Sequence, residues 1–222
     1  MTNIPASTME SLGINRPRVI ILVIFTLCVT MSMVSLDLQE GDLLFSCSSD
    51  ENAITSVTSG VEGLPIDHVA IVHRIGGEHG PLFVVEAVKP MVRITPVDTF
   101  LLSIDNHCVL VGRVNVPIDV NGSVRRCLLM VGKPYDDLFL PGDSAIYCSE
   151  LVQMNYVSSE GERIFSTIPM SFHDETGCVT EYWQSFYAEH GMVVPEGVPG
   201  TNPGELSRSP LVTIIGWYPS DK

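Results

Sequence analysis

The chain has 222 residues, enough for one domain with a sizeable core. Its 12 basic and 26 acidic residues give a formal charge of −14, which argues against a polyanion such as nucleic acid as partner. The charges are mixed along the chain, so they describe a solvated surface and not an acidic tail.

Residues 1–36 stand apart. Arg16 and Arg18 precede an apolar run from Val19 to Val34, interrupted by Thr26, Cys28, Thr30 and Ser32. A basic region, an apolar stretch and small residues describe a secretory signal, with Thr30/Ser32 or Met33/Ser35 as imperfect cleavage pairs. Left uncleaved, the run is nearly long enough to anchor the chain in a bilayer, the one membrane contact expected. Cys28 follows Leu27 and not a small residue, which argues against a lipid-modified cysteine. Either way the remainder, residues 37–222, is expected as a single exported domain in the periplasm or cell envelope. It keeps 10 basic and 25 acidic residues, a net of −15. Its cysteines are Cys47, Cys108, Cys127, Cys148 and Cys178, an odd number without C-x-x-C spacing. In an oxidising compartment one of them stays free or pairs with another chain, and Cys148 is the one expected free. Spacing alone does not define any pairing among the other four.

Taken in order, Leu38 to Phe45 reads as a turn feeding a short strand. Residues 47–66 are small and polar, with a short helix predicted at Asn52–Val57. Asp67 to His73 is a strand-like run ended by Gly76-Gly77 and Gly80-Pro81, and Leu82 to Ala87 is the next strand, so the two predict a hairpin. Val92–Thr95 reads as a third strand and Pro96–Ser103 as a short helix with Pro96 near its start. Cys108–Val114 is a fourth strand. Ser123–Val131 has helical spacing and stops at Gly132. After the turn Lys133–Asp136, apolar and small residues at Cys148, Leu151, Val152 and Tyr156 predict a helix starting at Cys148. Thr180–His190 is a further helix, with Gly191 as its stop. Residues 193–210, dense in Pro and Gly, predict an irregular segment that wraps the surface or borders a site. Leu211–Ile215 is a closing strand. The whole reads as one α+β domain with an antiparallel sheet.

Cys148 at a helix start is the candidate nucleophile, and taken alone it also reads as a buried structural cysteine on an amphipathic helix. The free N–H groups and the positive end of the dipole there favour a thiolate, which is the nucleophilic form. Such a cysteine needs a base and a group to hold the base. Of six histidines, His79, His107, His173 and His190 read as turn, loop or helix-end residues. His68 opens a strand, on the face of Ala70 and Val72 and opposite His73. Glu86 lies in an apolar run on the neighbouring strand, where a carboxylate is costly unless paired. A cross-strand His68–Glu86 pair satisfies the carboxylate and fixes the imidazole tautomer. Taken alone, Glu86 also reads as an outward-facing residue on a half-exposed strand.

Gly41-Asp42-Leu43-Leu44-Phe45, Asp67-His68-Val69-Ala70-Ile71-Val72, Val85-Glu86-Ala87, Gly132-Lys133-Pro134-Tyr135-Asp136 and Tyr147-Cys148-Ser149-Glu150-Leu151-Val152 together resemble the YiiX/YebB-like branch of the NlpC-type cysteine hydrolases. These are papain-like enzymes of circularly permuted order, with histidine and its acidic partner preceding the cysteine. The resemblance implies a permuted papain-like fold. It also implies a triad of Cys148 as nucleophile, His68 as base and Glu86 as the group orienting His68. The backbone N–H of Cys148 is the first oxyanion donor, with a second sought near Gly41–Asp42 or from Tyr147. Asp42, Tyr135 and Tyr147 are the candidate substrate-binding residues, Tyr135 and Asp136 reading equally as a turn that closes the preceding helix. Glu150 complements the helix dipole. Tyr182, Trp183 and Phe186 read as core or as an aromatic wall. No cofactor and no metal site is expected.

The expected function is an exported cysteine peptidase or amidase, with peptidoglycan fragments as the substrate class that the wider family suggests. One alternative is a lipid-directed acyltransferase or esterase on the same fold. Another is an inactive envelope binding module, against which the intact Cys148, His68 and Glu86 speak.

Overall fold

The computed structural model of the protein describes residues 36–77 and 79–219, all within a unit that begins at Val34. The expected signal or anchor segment, through residue 35, lies outside the described residues. In chain order the described residues form β1 (Leu43–Cys47), β2 (Ile66–Arg74), β3 (Leu82–Val88), β4 (Met91–Pro96), α1 (Val97–Leu102), β5 (Val109–Val114), α2 (Val120–Leu129) and α3 (Cys148–Asn155). They continue with β6 (Ile168–Pro169), α4 (Glu181–Glu189), β7 (Pro199–Gly200), α5 (Pro203–Arg208) and β8 (Val212–Tyr218).

Six strands make one sheet in the order β4-β3-β2-β1-β5-β8, antiparallel throughout, and β6 and β7 pair separately. The architecture is the α+β fold with an antiparallel sheet that the pattern predicted. Alternate residues of a strand point to opposite faces, and here both faces are covered. Val69, Ile71, Val85 and Ala87 join Leu151 and Val152 of α3 in one core cluster. Ala70, Val72 and Val84 join Phe100 and Leu101 of α1 in another. A third, aromatic cluster holds Met170, Phe172, Trp183 and Tyr187 around α4. At about 25 cal/mol per Å² of apolar surface, burial of this kind dominates the stabilisation.

Local signals set the element ends. The Asp119 carboxylate accepts the Gly122 amide at 2.9 Å, so α2 begins three residues before the apolar spacing suggested. Thr180 caps α4 in the same manner. The helix expected at Asn52–Val57 is instead a run of turns. Its reason is Asn52, whose side-chain oxygen accepts the Ile54 and Thr55 amides at 2.9 and 3.0 Å and competes with the helical pattern. The Pro/Gly-dense segment is more ordered than expected, since it holds β7 and α5. Asn202 caps α5 through the Glu205 amide at 2.7 Å, with Pro203 opening the helix. β8 continues three residues past its expected end at Ile215.

One turn ties α3 to the sheet. Gly41, at φ +80°, precedes β1, and the buried Tyr156 hydroxyl donates to its carbonyl at 2.7 Å. The five cysteines among the described residues are all unbridged. No helix among these residues is long and apolar enough to cross a membrane.

Candidate active site

Cys148 is the first residue of α3. Tyr147 caps the helix with extended backbone (φ −97°, ψ 170°), and no side chain takes up the free amides of the first turn. Cys148 thus stands at the positive end of the helix dipole, and the residue is 5% exposed. The Tyr147 hydroxyl accepts the Thr201 amide at 3.0 Å and so fastens the helix start to the segment before α5.

His68 reaches the same place from β2. Its Nε2 stands 3.2 Å from Glu86 Oε2, and Cys148 lies close enough to the ring to bear on its charge. Burial works against a charged imidazole here. Contacts and charge from Cys148 and Glu86 outweigh it and push the ring up to about 10. The Phe100 ring, 6.2 Å away centre to centre, packs beside it.

Glu86 is 2% exposed and fully partnered. Besides His68 on Oε2, its Oε1 accepts Thr95 Oγ1 at 2.7 Å and Arg93 Nε at 2.9 Å. Burial alone would raise this carboxyl, but His68, Thr95 and Arg93 hold it at about 2. The register explains the grouping: Glu86 lies directly opposite Arg93, and Thr95 lies two residues further along β4. A carboxylate with three donors is a rigid anion, suited to fixing an imidazole in one orientation.

Beside the sulfur is a largely apolar pocket. Tyr135, Phe139, Tyr147, Met170, Phe172 and Trp183 supply much of its wall. Phe139 is its hinge point, packing edge-on against Tyr135, Tyr147 and Trp183. Trp183 is anchored by donating Nε1–H to the Ala53 carbonyl at 3.0 Å. Gly200 is required by close approach: a Cβ there would lie 2.4 Å from Met170 and 3.1 Å from the Tyr147 hydroxyl.

Residues 37–216 match the family described as "Permuted papain-like amidase enzyme, YaeF/YiiX, C92 family". The chain belongs to this family. It is therefore an enzyme of the papain-like amidase or cysteine-peptidase type, and the fold is the permuted papain-like one. Among solved structures the chain resembles YiiX from Escherichia coli O157:H7, with a TM-score of 0.65 and 21% identity, covering 82% of this chain and 98% of that one. That likeness shows a shared fold. Curated proteins give no match. The E. coli protein is described as a metalloprotein. Among the described residues of this family member, no group of three or more His, Cys, Asp or Glu side chains is placed to hold a metal ion.

The structure brings together Cys148, His68 and Glu86, and it places Tyr135 and Tyr147 in the pocket wall. Asp42 lies apart. It is 1% exposed and held by Arg113 through two contacts of 2.7 Å and by the Gln39 amide at 2.8 Å. It is not among the residues that line the pocket. Asp136 accepts the Leu138 and Leu140 amides, which shapes the loop that presents Phe139. Glu150, read as complementing the helix dipole, is buried in the first turn of α3, and burial together with Asp136 pushes it up to about 7. His73 is engaged with Glu40 at 2.8 Å.

Several site residues carried no readable signal. Arg93 and Thr95 become partners of Glu86 only through strand register. Phe139 and Met170 sit in loops of no motif, and Asn202 reaches the pocket from the Pro/Gly-dense segment. Asp67 also lines it, held by Asn52 at 2.9 Å, with its carboxyl raised by burial. Trp183 serves both readings offered for it, as core and as wall.

Proposed function

We propose that this family member is an exported thiol amidase that uses Cys148, His68 and Glu86 as a triad. The observation that carries the reading is the position of His68, shared between the sulfur at a helix start and a carboxylate braced by Arg93. Such sharing draws the thiol proton onto the imidazole. The thiolate then attacks an amide carbonyl carbon. The oxyanion that forms is met by the free amides of the first turn of α3, beginning with Cys148 N–H. Imidazolium protonates the leaving amine as the tetrahedral intermediate collapses to a thioester. Water, deprotonated by His68, cleaves the thioester and restores the cysteine. Glu86 stays ionised throughout and stabilises the imidazolium.

The leading substrate class is a cell-wall peptide, by analogy with the wider group, and export rests on the Arg16/Arg18 and apolar segment. A second reading, hydrolysis or transfer of a lipid acyl group, is favoured by one observation: the pocket beside the sulfur is walled chiefly by aromatic and apolar side chains. Purified protein is offered muropeptides and N-acyl amides or acyl esters in parallel, with Cys148→Ala as control. Release of amine from muropeptides supports the first reading. Consumption of acyl substrates alone supports the second. Turnover that persists in Cys148→Ala overturns both.

A further inference from the structure

We propose that Cys47 and Cys108 are a disulfide site, bridged when the protein meets an oxidising environment. The ladder between β1 and β5 pairs Leu43 with Gly112, Leu44 with Val111 and Phe45 with Leu110. Two residues further along each chain come Cys47, the last residue of β1, and Cys108, just before β5. Continued at the same register, the two cysteines stand directly opposite, on one side of the sheet. Beyond them the chains are still together: the Ser49 amide and hydroxyl both donate to Asp105 Oδ2, at 3.2 and 2.8 Å. The pair is thus bracketed by a ladder on one side and a side-chain clasp on the other. Directly opposed residues of antiparallel strands have Cα atoms about 4.5–5.5 Å apart, within the roughly 4.4–6.8 Å range a disulfide spans. Cys108 is also near enough to bear on Cys47. Burial, then Asp67, then Cys108 push the Cys47 thiol up to about 11.

The remaining cysteines are placed differently. Cys127 is wholly buried on α2, Cys148 is in the catalytic site, and Cys178 is exposed before α4. The bridge accounts for two of the five thiols among the described residues and leaves Cys148 free, as its chemistry requires. It closes a loop from 47 to 108 that contains β2, β3 and β4, and with them His68, Glu86, Arg93 and Thr95. Ser46, next to Cys47, is paired in register with His68. Oxidation therefore staples β1, the strand paired with the one that holds the base, to the start of β5.

The chemistry is thiol–disulfide exchange with a disulfide oxidant, here glutathione disulfide. One cysteine thiolate attacks it and releases one glutathione thiolate, giving a mixed disulfide. The second cysteine displaces the other glutathione. Two protein thiols and one glutathione disulfide become one protein disulfide and two glutathione thiols, with protons conserved.

The test uses the full chain carrying Cys148→Ser, so that the active-site sulfur does not enter the exchange. Reduced protein is incubated with glutathione disulfide, acid-quenched, alkylated, digested and mapped without reduction. The expected result is a Cys47–Cys108 linked peptide and a melting temperature raised by roughly 5–15 °C, the rise being reversed by dithiothreitol. Cys47→Ala and Cys108→Ala each lose the rise, while Cys178→Ala keeps it. The inference is overturned if Cys47 and Cys108 are recovered separately alkylated or glutathionylated, or if the linkage joins any other pair. Because mapping is done on a chain with both cysteines intact, a folding defect in the single variants leaves the mapped linkage unaffected. The outcome is also independent of whether Cys148 acts on amides.

Discussion

Glu86→Gln keeps the shape of the side chain and removes its charge. In the parent, the carboxyl is lowered from 4.5 to about 2 by His68, Thr95 and Arg93 against the opposing effect of burial. At about 1.4 kcal/mol per tenfold change in proton affinity, that lowering corresponds to roughly 3 kcal/mol of folding stability. Since the folded-state value lies below the unfolded one, this contribution is complete above about pH 4.5 and is lost as pH falls toward 2. Urea unfolding of parent and variant at pH 6 and pH 3 measures it as a difference, so effects common to both proteins cancel. The parent is expected to lead by about 3 kcal/mol at pH 6 and to surrender about 2 kcal/mol of that lead by pH 3. In the same preparations, alkylation of Cys148 and turnover at pH 7 are expected to fall by about 10²–10⁴-fold, because the imidazole loses both its orienting partner and the anion that stabilises its charge. A lead that stays flat between the two pH values would falsify the electrostatic account of this carboxylate. Undiminished alkylation in the variant would show that His68 does not depend on Glu86.

Two further expectations concern charges near α3 and β1. Glu150→Gln removes a carboxyl raised from 4.5 to about 7; because the folded form holds its proton more tightly, the penalty is absent below about pH 4.5 and complete above about pH 7. The variant is expected to exceed the parent by about 2 kcal/mol at pH 8, after discounting for partial solvent screening, and to match it at pH 4.5; parallel denaturant curves that stay together at pH 8 refute this. Arg113→Ala leaves Asp42 buried with only the Gln39 amide, so a loss of about 3 kcal/mol is expected with KM unchanged per folded molecule. A raised KM at unaltered stability would return Asp42 to the substrate site.

Much of the fold was legible because it rests on local rules. The apolar runs Asp67–His73 and Leu82–Ala87, separated by Gly76-Gly77 and Gly80-Pro81, gave a hairpin that the structure contains. The spacing of Cys148, Leu151, Val152 and Tyr156 gave a helix that starts at the cysteine. Where a side chain competed with the backbone, the reading failed: Asn52 turned an expected helix into turns, and Asp119 lengthened another.

The sequence by itself offered Cys148, His68 and Glu86 as candidates, and the structure places His68 and Glu86 in contact. Each alone also fits a bland role, and it was their motifs in order along the chain that set them apart. Only the tertiary structure decided what surrounds them. Arg93 and Thr95 meet Glu86 through the offset of two strands, which no single strand encodes. Tyr135, Met170 and Trp183, far apart in the chain, form one wall because three separate segments converge on the start of α3. Asp42 shows the reverse, a motif residue that Arg113, 71 positions along the chain, draws into a structural ion pair. Patterning fixes which face of an element is buried; the partner it is buried against is set by packing between elements, and the walls of the pocket are made there.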